Sequence, residues 1–267
     1  MTKSTRLNCF QCNREFVPER QETYLECPHC HHCYTAVRGT PVLMPSCSSN
    51  AWQEEYEGLA ASDIPDWKAA NWKYEKHYEA SKAVLRDLLA DRKGGKILDV
   101  GCGRGDFSTF LTAKNALTGV DFSLNMLRHA ERKGYETFVA DATRLPFPDG
   151  QFDTLICTAL LQIVDRDALL SECVRVVRPG GVVAFETVND ASLLRRVRRR
   201  LLNFKHVDKF YYNAVDDLIR TAARLGLEPE RVGWTYAPTG LRRSNGTTGI
   251  LDQWMGTNFL VRFRKIR

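Results

Sequence analysis

The chain alternates regularly between short apolar runs and longer stretches in which apolar residues recur at helical spacing. Apolar runs bounded by turn residues are typical of buried strands. They occupy positions 97–100, 117–120, 137–140, 152–157 and 182–185. The helical stretches lie at 67–90, 165–177 and 215–225, and two more strand-like segments close the chain at 231–236 and 257–264. Strands that alternate with helices predict an α/β fold, with a mostly parallel sheet and helices on both faces.

A different pattern occupies the first 45 residues. Two Cys-x-x-Cys pairs stand there with 14 residues between them: Cys9 with Cys12, and Cys27 with Cys30. Each pair fits a tight knuckle that supplies two thiolates, and four thiolates complete a tetrahedral zinc site. A unit this small has little core and depends on a metal for folding. We therefore predict a zinc ribbon at 1–45, whose metal is structural because four thiolates leave no open position.

Two questions about this ribbon stay open. Four further potential ligands crowd the second pair, so that one could exchange with a cysteine: His29, His31, His32 and Cys33. The ribbon is also equally compatible with a recognition or docking module and with a structural cap. A serine-rich break and an Ile-Pro step predict a linker over 46–66,, and residues 67–267 form the larger predicted domain.

Three glycines follow the first strand of that domain at once. Gly101, Gly103 and Gly105 stand two residues apart, and glycine lets a backbone turn sharply and approach a ligand closely,. Apolar residues after the turn have helical spacing, so the pattern predicts a strand, a tight turn and a helix whose first N–H groups point at the turn. The dinucleotide-binding fingerprint fits poorly, because Asp106 stands where it needs a third glycine,.

Acidic residues end the next two strands. Asp121 comes 20 residues after Gly101, and Asp141 ends the third run. Ligands of such sheets bind beyond the carboxyl ends of the strands, and an acid there can accept both hydroxyls of a ribose. On the residues alone, Asp121 could instead be a solvated helix cap before Ser123.

The order of these motifs resembles that of class I S-adenosylmethionine-dependent methyltransferases, nearest to the small-molecule group that includes the quinone C-methylases. The motifs are the glycine turn, the two strands that end in acids, the run at 152–157 and the segment Arg178-Pro179-Gly180-Gly181 with the strand after it. The resemblance spans roughly 75–265. It implies a Rossmann-like sheet of seven strands with the last antiparallel, and S-adenosylmethionine as cofactor.

The resemblance also implies the residues that hold this cofactor. Asp99 is expected behind the glycine turn, at the methionine end, and Asp121 at the ribose hydroxyls. The other implied contacts are Gly101, Cys102, Gly103, Phe122, Met126, Asp141, Ala142 and Thr158. Among these, Phe122 and Met126 are expected near the adenine, and Asp141 with Ala142 at its amine and ring nitrogen. One or two aromatic residues before the first strand are expected to line the pocket, from the set Trp52, Tyr56, Trp67, Tyr74 and Tyr78.

The segment after Thr158 faces the transferred methyl in this architecture. Many relatives have a histidine near this point, where this chain has Gln162, so a histidine base is not implied. Transfer from a sulfonium depends mainly on positioning and on exclusion of water. A base is needed only where the nucleophile keeps its proton. The candidate catalytic residues, none of them assigned, are His206, Tyr211, Tyr212, Gln162 and Glu186.

A variable region over about 188–214 is expected to form a lid. Five arginines occupy six positions from Arg195 to Arg200, flanked by leucines, which predicts a basic amphipathic helix,. Such a helix could contact RNA phosphates, an anionic substrate or a membrane surface, or it could simply be a solvated lid. The polar loop at 239–249 is expected to be long and mobile.

Composition and charge limit the classes of protein to which this chain can belong. The 267 residues carry 38 basic and 32 acidic side chains, a net charge of +6, which is compatible with an anionic partner without requiring one,. No apolar run approaches the length needed to span a bilayer, and no signal pattern begins the chain. Nine cysteines in such a chain favour reduced thiols and metal over disulfides,. We therefore expect a cytoplasmic protein.

Three functions are compatible with these observations. The preferred one is S-adenosylmethionine-dependent methylation of a small molecule. The alternative is methylation of an RNA base, since the ribbon resembles those in front of bacterial guanine-N1 ribosomal-RNA methyltransferases and the arginine run suits RNA. A third is a regulatory protein that binds the cofactor without turnover. The sequence names neither the acceptor atom nor the oligomeric state.

Overall fold

The sheet that the alternating pattern predicts is the centre of the fold. The computed structural model describes residues 5–19, 21–44, 51–92, 94–193, 197, 214–236, 239–243 and 250–266. Its strands are β1 (Leu7–Asn8), β2 (Glu15–Phe16), β3 (Tyr24–Glu26), β4 (Cys33–Val37), β5 (Thr40–Leu43), β6 (Lys96–Val100), β7 (Ala116–Asp121), β8 (Glu136–Ala140), β9 (Phe152–Thr158), β10 (Val177–Val188), β11 (Leu227–Tyr236), β12 (Leu241–Arg243) and β13 (Asn258–Lys265). Its helices are α1 (Ala51–Ala61), α2 (Asp66–Ala69), α3 (Glu75–Leu88), α4 (Leu124–Arg132), α5 (Arg166–Val176), α6 (Val215–Arg224) and α7 (Ile250–Met255).

Seven strands form the predicted Rossmann-like core, in the order β8-β7-β6-β9-β10-β13-β11. The pairs from β8 to β10 are parallel, and β13 is antiparallel to both of its neighbours. The prediction of fold class is therefore confirmed. Val100 pairs with Val120 and with Cys157, while Asp121 pairs with Val139. This register brings the polar residues that follow β6, β7, β8 and β9 to one edge of the sheet.

The amino-terminal ribbon is joined to this sheet. Strand β5 lies parallel to β8, with Leu43 opposite Ala140, and β4 and β3 continue the sheet outward. Buried residues of both parts also belong to one apolar cluster, in which Leu7 and Leu25 lie with Phe138. The pairing covers the edge of β8, which would otherwise expose unpaired backbone groups. The first 45 residues, predicted as a separate module, are therefore continuous with the larger sheet.

Three segments differ in detail from the prediction. The helix predicted after the glycine turn is a 3₁₀ helix, Thr109–Lys114. The hydroxyls of Thr109 and Thr112 donate to carbonyls three residues back, which favours this tighter winding,. The predicted linker 46–66 contains helix α1, and the loop predicted at 239–249 contains β12.

Much of the predicted lid and of the basic helix lies outside the described residues. Leu193 and Val197 are helical and exposed, whereas positions 194–196 and 198–213 are not described. Within the described part of the chain, no helix combines the length and the apolar character needed to cross a bilayer.

Candidate functional site

The glycine turn forms the floor of the site. Gly101, Gly103 and Gly105 have φ values of +69°, +52° and +74°, a region that residues with a Cβ seldom adopt,. The N–H groups of Gly101 and Cys102 both donate to the carbonyl of Val120, at 2.8 and 3.1 Å. The turn is thereby folded back against the end of β7. Its donors come from the turn itself and not from a helix N-terminus, in contrast to the sequence prediction.

Asp121 completes this turn from the neighbouring strand. Its Oδ2 accepts the N–H of Gly103 at 2.9 Å, and its Oδ1 accepts the N–H of Ser123 at 2.9 Å. Burial, opposed by these hydrogen bonds and reinforced by the charge of Glu57, raises the pKa of Asp121 to about 6,. Each oxygen has a second lone pair, so the carboxylate can accept further donors from a ligand.

Asp99 lies behind the turn, as expected. The hydroxyl of Tyr135 donates to Asp99 Oδ2 and to the carbonyl of Gly105, each at 3.1 Å, which ties β6 to the turn. Asp99 Oδ1 is buried and makes no well-aligned hydrogen bond to the described residues. Burial raises the pKa of Asp99 to about 6, opposed by the hydroxyls of Ser108 and Tyr135. A buried acceptor without a partner is costly, and a ligand or water that donates to it would remove that cost.

An open cavity lies above the turn. Seven of the ten predicted cofactor contacts line it: Gly101, Cys102, Gly103, Asp121, Phe122, Met126 and Thr158. Asp99 is not part of this lining, and neither are Asp141 and Ala142. Asp141 Oδ1 accepts both the N–H and the hydroxyl of Thr143, at 2.8 and 2.7 Å, and so caps its own turn.

Aromatic residues from the amino-terminal side cover the cavity. Tyr56 and Tyr78, two of the five predicted candidates, line it together with Trp72. The ring of Tyr56 packs edge-on against Phe122, with 5.8 Å between centroids. The cover is therefore formed by α1 and α3, which pack over the strand ends.

Arg104 is a lining residue that the sequence analysis missed. Its guanidinium, almost fully buried, donates to the carbonyls of Leu59, Ala60, Ser62 and Ile64 at 2.7–3.1 Å. It therefore fastens the connection between α1 and α2 to the glycine turn. No sequence signal marks this role, because the carbonyl groups that it binds are the same in every residue.

The wall on the other side is built around Ala159. This residue has φ +55°, and its N–H donates to Glu186 Oε2 at 3.0 Å. The other oxygen of Glu186 accepts from Asn258 Nδ2 at 2.6 Å. Gln162 donates to the carbonyl of Ala159 at 2.9 Å and accepts from Thr187 at 3.0 Å. These buried contacts give both Glu186 and Gln162 a role in holding the wall.

The remaining candidate catalytic residues, His206, Tyr211 and Tyr212, lie outside the described residues.

The four predicted zinc ligands converge at the amino-terminal ribbon. The Sγ atoms of Cys9, Cys12, Cys27 and Cys30 all lie within 4.8 Å of one another. The two knuckles have the same local form, since Asn13 and His31, each directly after the second cysteine, have φ of +57° and +59°. Cys33 is exposed and stands apart from this group.

Comparison with known proteins identifies the family to which the chain belongs. A family model described as a methyltransferase domain matches residues 98–185. Malonyl-[acyl-carrier protein] O-methyltransferase of Pseudescherichia vulneris is 31% identical over 186 residues, which cover 65% of this chain and 73% of the relative. The chain belongs to the S-adenosylmethionine-dependent methyltransferases. The match of the family model spans β6 to β10, the part of the methyltransferase that carries the glycine turn and Asp121.

A second relative agrees with this assignment, and a solved structure shares the fold. Demethylmenaquinone methyltransferase of Staphylococcus aureus (strain MRSA252) is 38% identical over 144 residues, or 50% of this methyltransferase. The N-methyltransferase NodS of Bradyrhizobium japonicum WM9, solved with S-adenosyl-L-homocysteine, shares the fold with a TM-score of 0.59 at 19% identity, covering 82% of this chain and 100% of NodS. This methyltransferase spans only 59% of the staphylococcal relative and 62% of a malonyl-[acyl-carrier protein] O-methyltransferase of Salmonella typhimurium.

The role of Arg104 leads to a prediction about stability. We expect Arg104→Met to lower the free energy of unfolding by about 2–3 kcal/mol, because buried carbonyls lose a charged donor. It should also speed protease cleavage within 59–66. Arg104→Lys should be intermediate, since one ammonium group cannot reach four carbonyls. Denaturant unfolding and limited proteolysis measure both effects, and the exposed Arg132, changed to Met, is the control. Equal stability of the two methionine variants would contradict this role.

Proposed function

We propose that this methyltransferase transfers the methyl group of S-adenosylmethionine to a small-molecule acceptor held in the cavity above the glycine turn. The observation that carries the proposal is the pairing of that turn with Asp121. Backbone N–H groups and a carboxylate meet there at the edge of an open cavity. A Cβ built at Gly103 meets nothing within 4 Å, which leaves space for a ligand to approach the backbone.

The described residues fit the cofactor. The Asp121 carboxylate would accept the ribose hydroxyls, and Phe122 and Met126 would contact the adenine ring. The orphaned Asp99 Oδ1 would receive a donor at the methionine end, through the turn or an ordered water. When bound, S-adenosylmethionine supplies an activated methyl on a sulfonium. The protein's part is then to orient the acceptor and exclude water.

The lining of the acceptor side favours a largely apolar molecule. Trp72, Leu160 and Ile163 are among the apolar residues that line the cavity. Four charged residues also line it, and one of them, Asp106, already accepts from Tyr78 and Lys82 at 2.8 and 2.6 Å. One relative is named for demethylmenaquinone, which supports a small-molecule substrate here, and another for a malonyl group on acyl-carrier protein. We assign no general base, because the buried Glu186 and Gln162 are bonded to the cavity wall.

The proposed reaction is tested by following the methyl group. Purified protein is incubated with cell extract and S-adenosylmethionine labelled in its methyl, and the products are separated into RNA, protein and metabolite fractions. We expect the label in the metabolite fraction, and at least a hundredfold less with Asp121→Ala, because one ribose-binding group is removed. Label confined to RNA would overturn the small-molecule acceptor. No transfer to any fraction, with the cofactor bound, would favour a regulatory protein.

The raised pKa of Asp121 predicts how cofactor affinity depends on pH. A ribose hydroxyl donates to the ionised carboxylate, so affinity for S-adenosylhomocysteine should be full above about pH 6. Below that pH the free site is protonated and affinity should fall, by up to about tenfold per pH unit,. Calorimetry between pH 4.5 and 8 measures this dependence.

The matched controls for this titration are two amide variants. Asp121→Asn should bind more weakly at pH 8 and lose most of the pH dependence. Asp99 is a second buried acid with a pKa of about 6, so Asp99→Asn shows how much of the pH dependence comes from Asp99. A pH profile that Asp121→Asn leaves unchanged would exclude Asp121 as its source.

We also infer that Cys9, Cys12, Cys27 and Cys30 bind a structural zinc ion. With Zn–S bonds of about 2.3 Å, tetrahedral thiolates lie about 3.8 Å apart. Two of the Sγ pairs, Cys9 with Cys30 and Cys12 with Cys27, are separated by 3.6 and 3.8 Å. Four thiolates close the coordination sphere, so the ion would have no part in methyl transfer.

Metal analysis tests this site. We expect one zinc per chain in the wild type, less than a tenth of that in Cys12→Ser, and a lower unfolding temperature for that variant because metal binding stabilises the folded state. The exposed Cys33, changed to Ser, is the matched control and should keep the zinc. If Cys33→Ser loses the metal and Cys12→Ser retains it, the ligand set is wrong.

A further inference from the structure

One contact between the ribbon and the core involves the segment 141–147, which follows β8. The N–H of Asn8 donates to the carbonyl of Pro146 at 2.9 Å, and Asn8 Nδ2 lies 3.4 Å from the carbonyl oxygen of Phe147. The guanidinium of Arg144 lies 4.7 Å from the centroid of the Phe10 ring, in cation–π geometry,. The first cysteine knuckle therefore contacts this segment directly.

Helix α5 holds the same segment from the other side. Arg175 donates to the carbonyls of Leu145 and Phe147 at 2.9 and 2.6 Å, and Glu172 accepts the N–H of Leu145 at 2.7 Å. Just before the segment, Leu43 of β5 pairs with Ala140. The ribbon and α5 thus hold 141–147 between them, at the end of the strand next to Asp121.

Phe10 is positioned by the cluster of cysteines. It stands between Cys9 and Cys12, and its N–H donates to the hydroxyl oxygen of Tyr34 at 2.8 Å. That hydroxyl in turn donates to Cys9 Sγ at 3.2 Å. A metal that gathers the four thiolates would therefore fix Phe10 and, through it, Arg144.

We propose that Asn8 and Phe10 are positioning residues for cofactor binding, and that the metal-bound ribbon is a brace for the segment 141–147. The proposal rests on the proposed function, because the segment follows β8, whose Val139 pairs with the Asp121 that would hold the ribose. It also answers the question that the sequence left open, since the ribbon then acts on the site of its own chain.

The test compares variants that retain the zinc ion. Phe10→Ala should weaken S-adenosylhomocysteine binding about fivefold and speed amide hydrogen exchange within 141–147 at least tenfold. Phe10→Tyr keeps the ring and should stay within twofold of wild type in both measurements. Gln11→Ala, at an exposed position of the same knuckle, is the matched control and should also stay within twofold. Arg144→Ala removes the other partner of the same contact, so it should weaken binding and speed exchange as Phe10→Ala does.

Two further measurements separate a brace from general destabilisation. The double variant Phe10→Ala/Arg144→Ala should bind no more weakly than either single variant, because both remove one contact. If a chelator removes the zinc and the protein remains folded, it should show the same weaker binding and faster exchange as Phe10→Ala.

The outcomes are distinguishable. Unchanged affinity and exchange in zinc-loaded Phe10→Ala would overturn the brace, and so would unchanged values in folded, zinc-free protein. If the zinc-loaded wild type does not bind S-adenosylhomocysteine, the proposed function fails. In that case, amide hydrogen exchange by itself shows whether the ribbon orders the segment 141–147.

Discussion

The site depends on one constraint, the folding of the glycine turn back onto the end of β7. Val120 provides a carbonyl that accepts two N–H groups of the turn, and Asp121 accepts a third. The three glycines are required because each has a positive φ, and Gly101 also packs against Leu160, whose Cδ2 would lie 3.0 Å from an added Cβ. The same contacts that close the turn therefore set the distance between the cavity floor and its wall.

The edge of the sheet is the second constraint. In a sheet of this order β8 would be an edge strand, and the ribbon covers it through β5. The ribbon buries its own Leu7 and Leu25 in the same apolar cluster, so it shares a core with the larger domain and does not depend on the metal alone. This explains how so short a unit reaches a defined place beside the site.

Patterns with a fixed local cause were predictable from the sequence. Apolar runs predicted a mostly parallel sheet, for which the family resemblance implied seven strands, and the glycine spacing located the turn. The two Cys-x-x-Cys pairs located the sulfur cluster. Contacts between distant segments were not. The β5–β8 pairing involves two residues of each strand, and Arg104 binds backbone carbonyls; neither leaves a pattern in the amino acids. The helix after the turn was predicted, but its 3₁₀ winding was not, because that winding follows from threonine hydroxyls that bond to nearby carbonyls,.

The wall of the cavity around Ala159 is held by two buried side chains. Ala159 is held in a left-handed conformation that costs about 1 kcal/mol or more. The buried Glu186 and Gln162 maintain it through its N–H and its carbonyl. Glu186, the only one of the two that could take a proton, is thus bonded to the backbone that shapes the cavity. Discrimination among acceptors would then arise from the shape of this wall, which agrees with a reaction whose methyl donor is already activated.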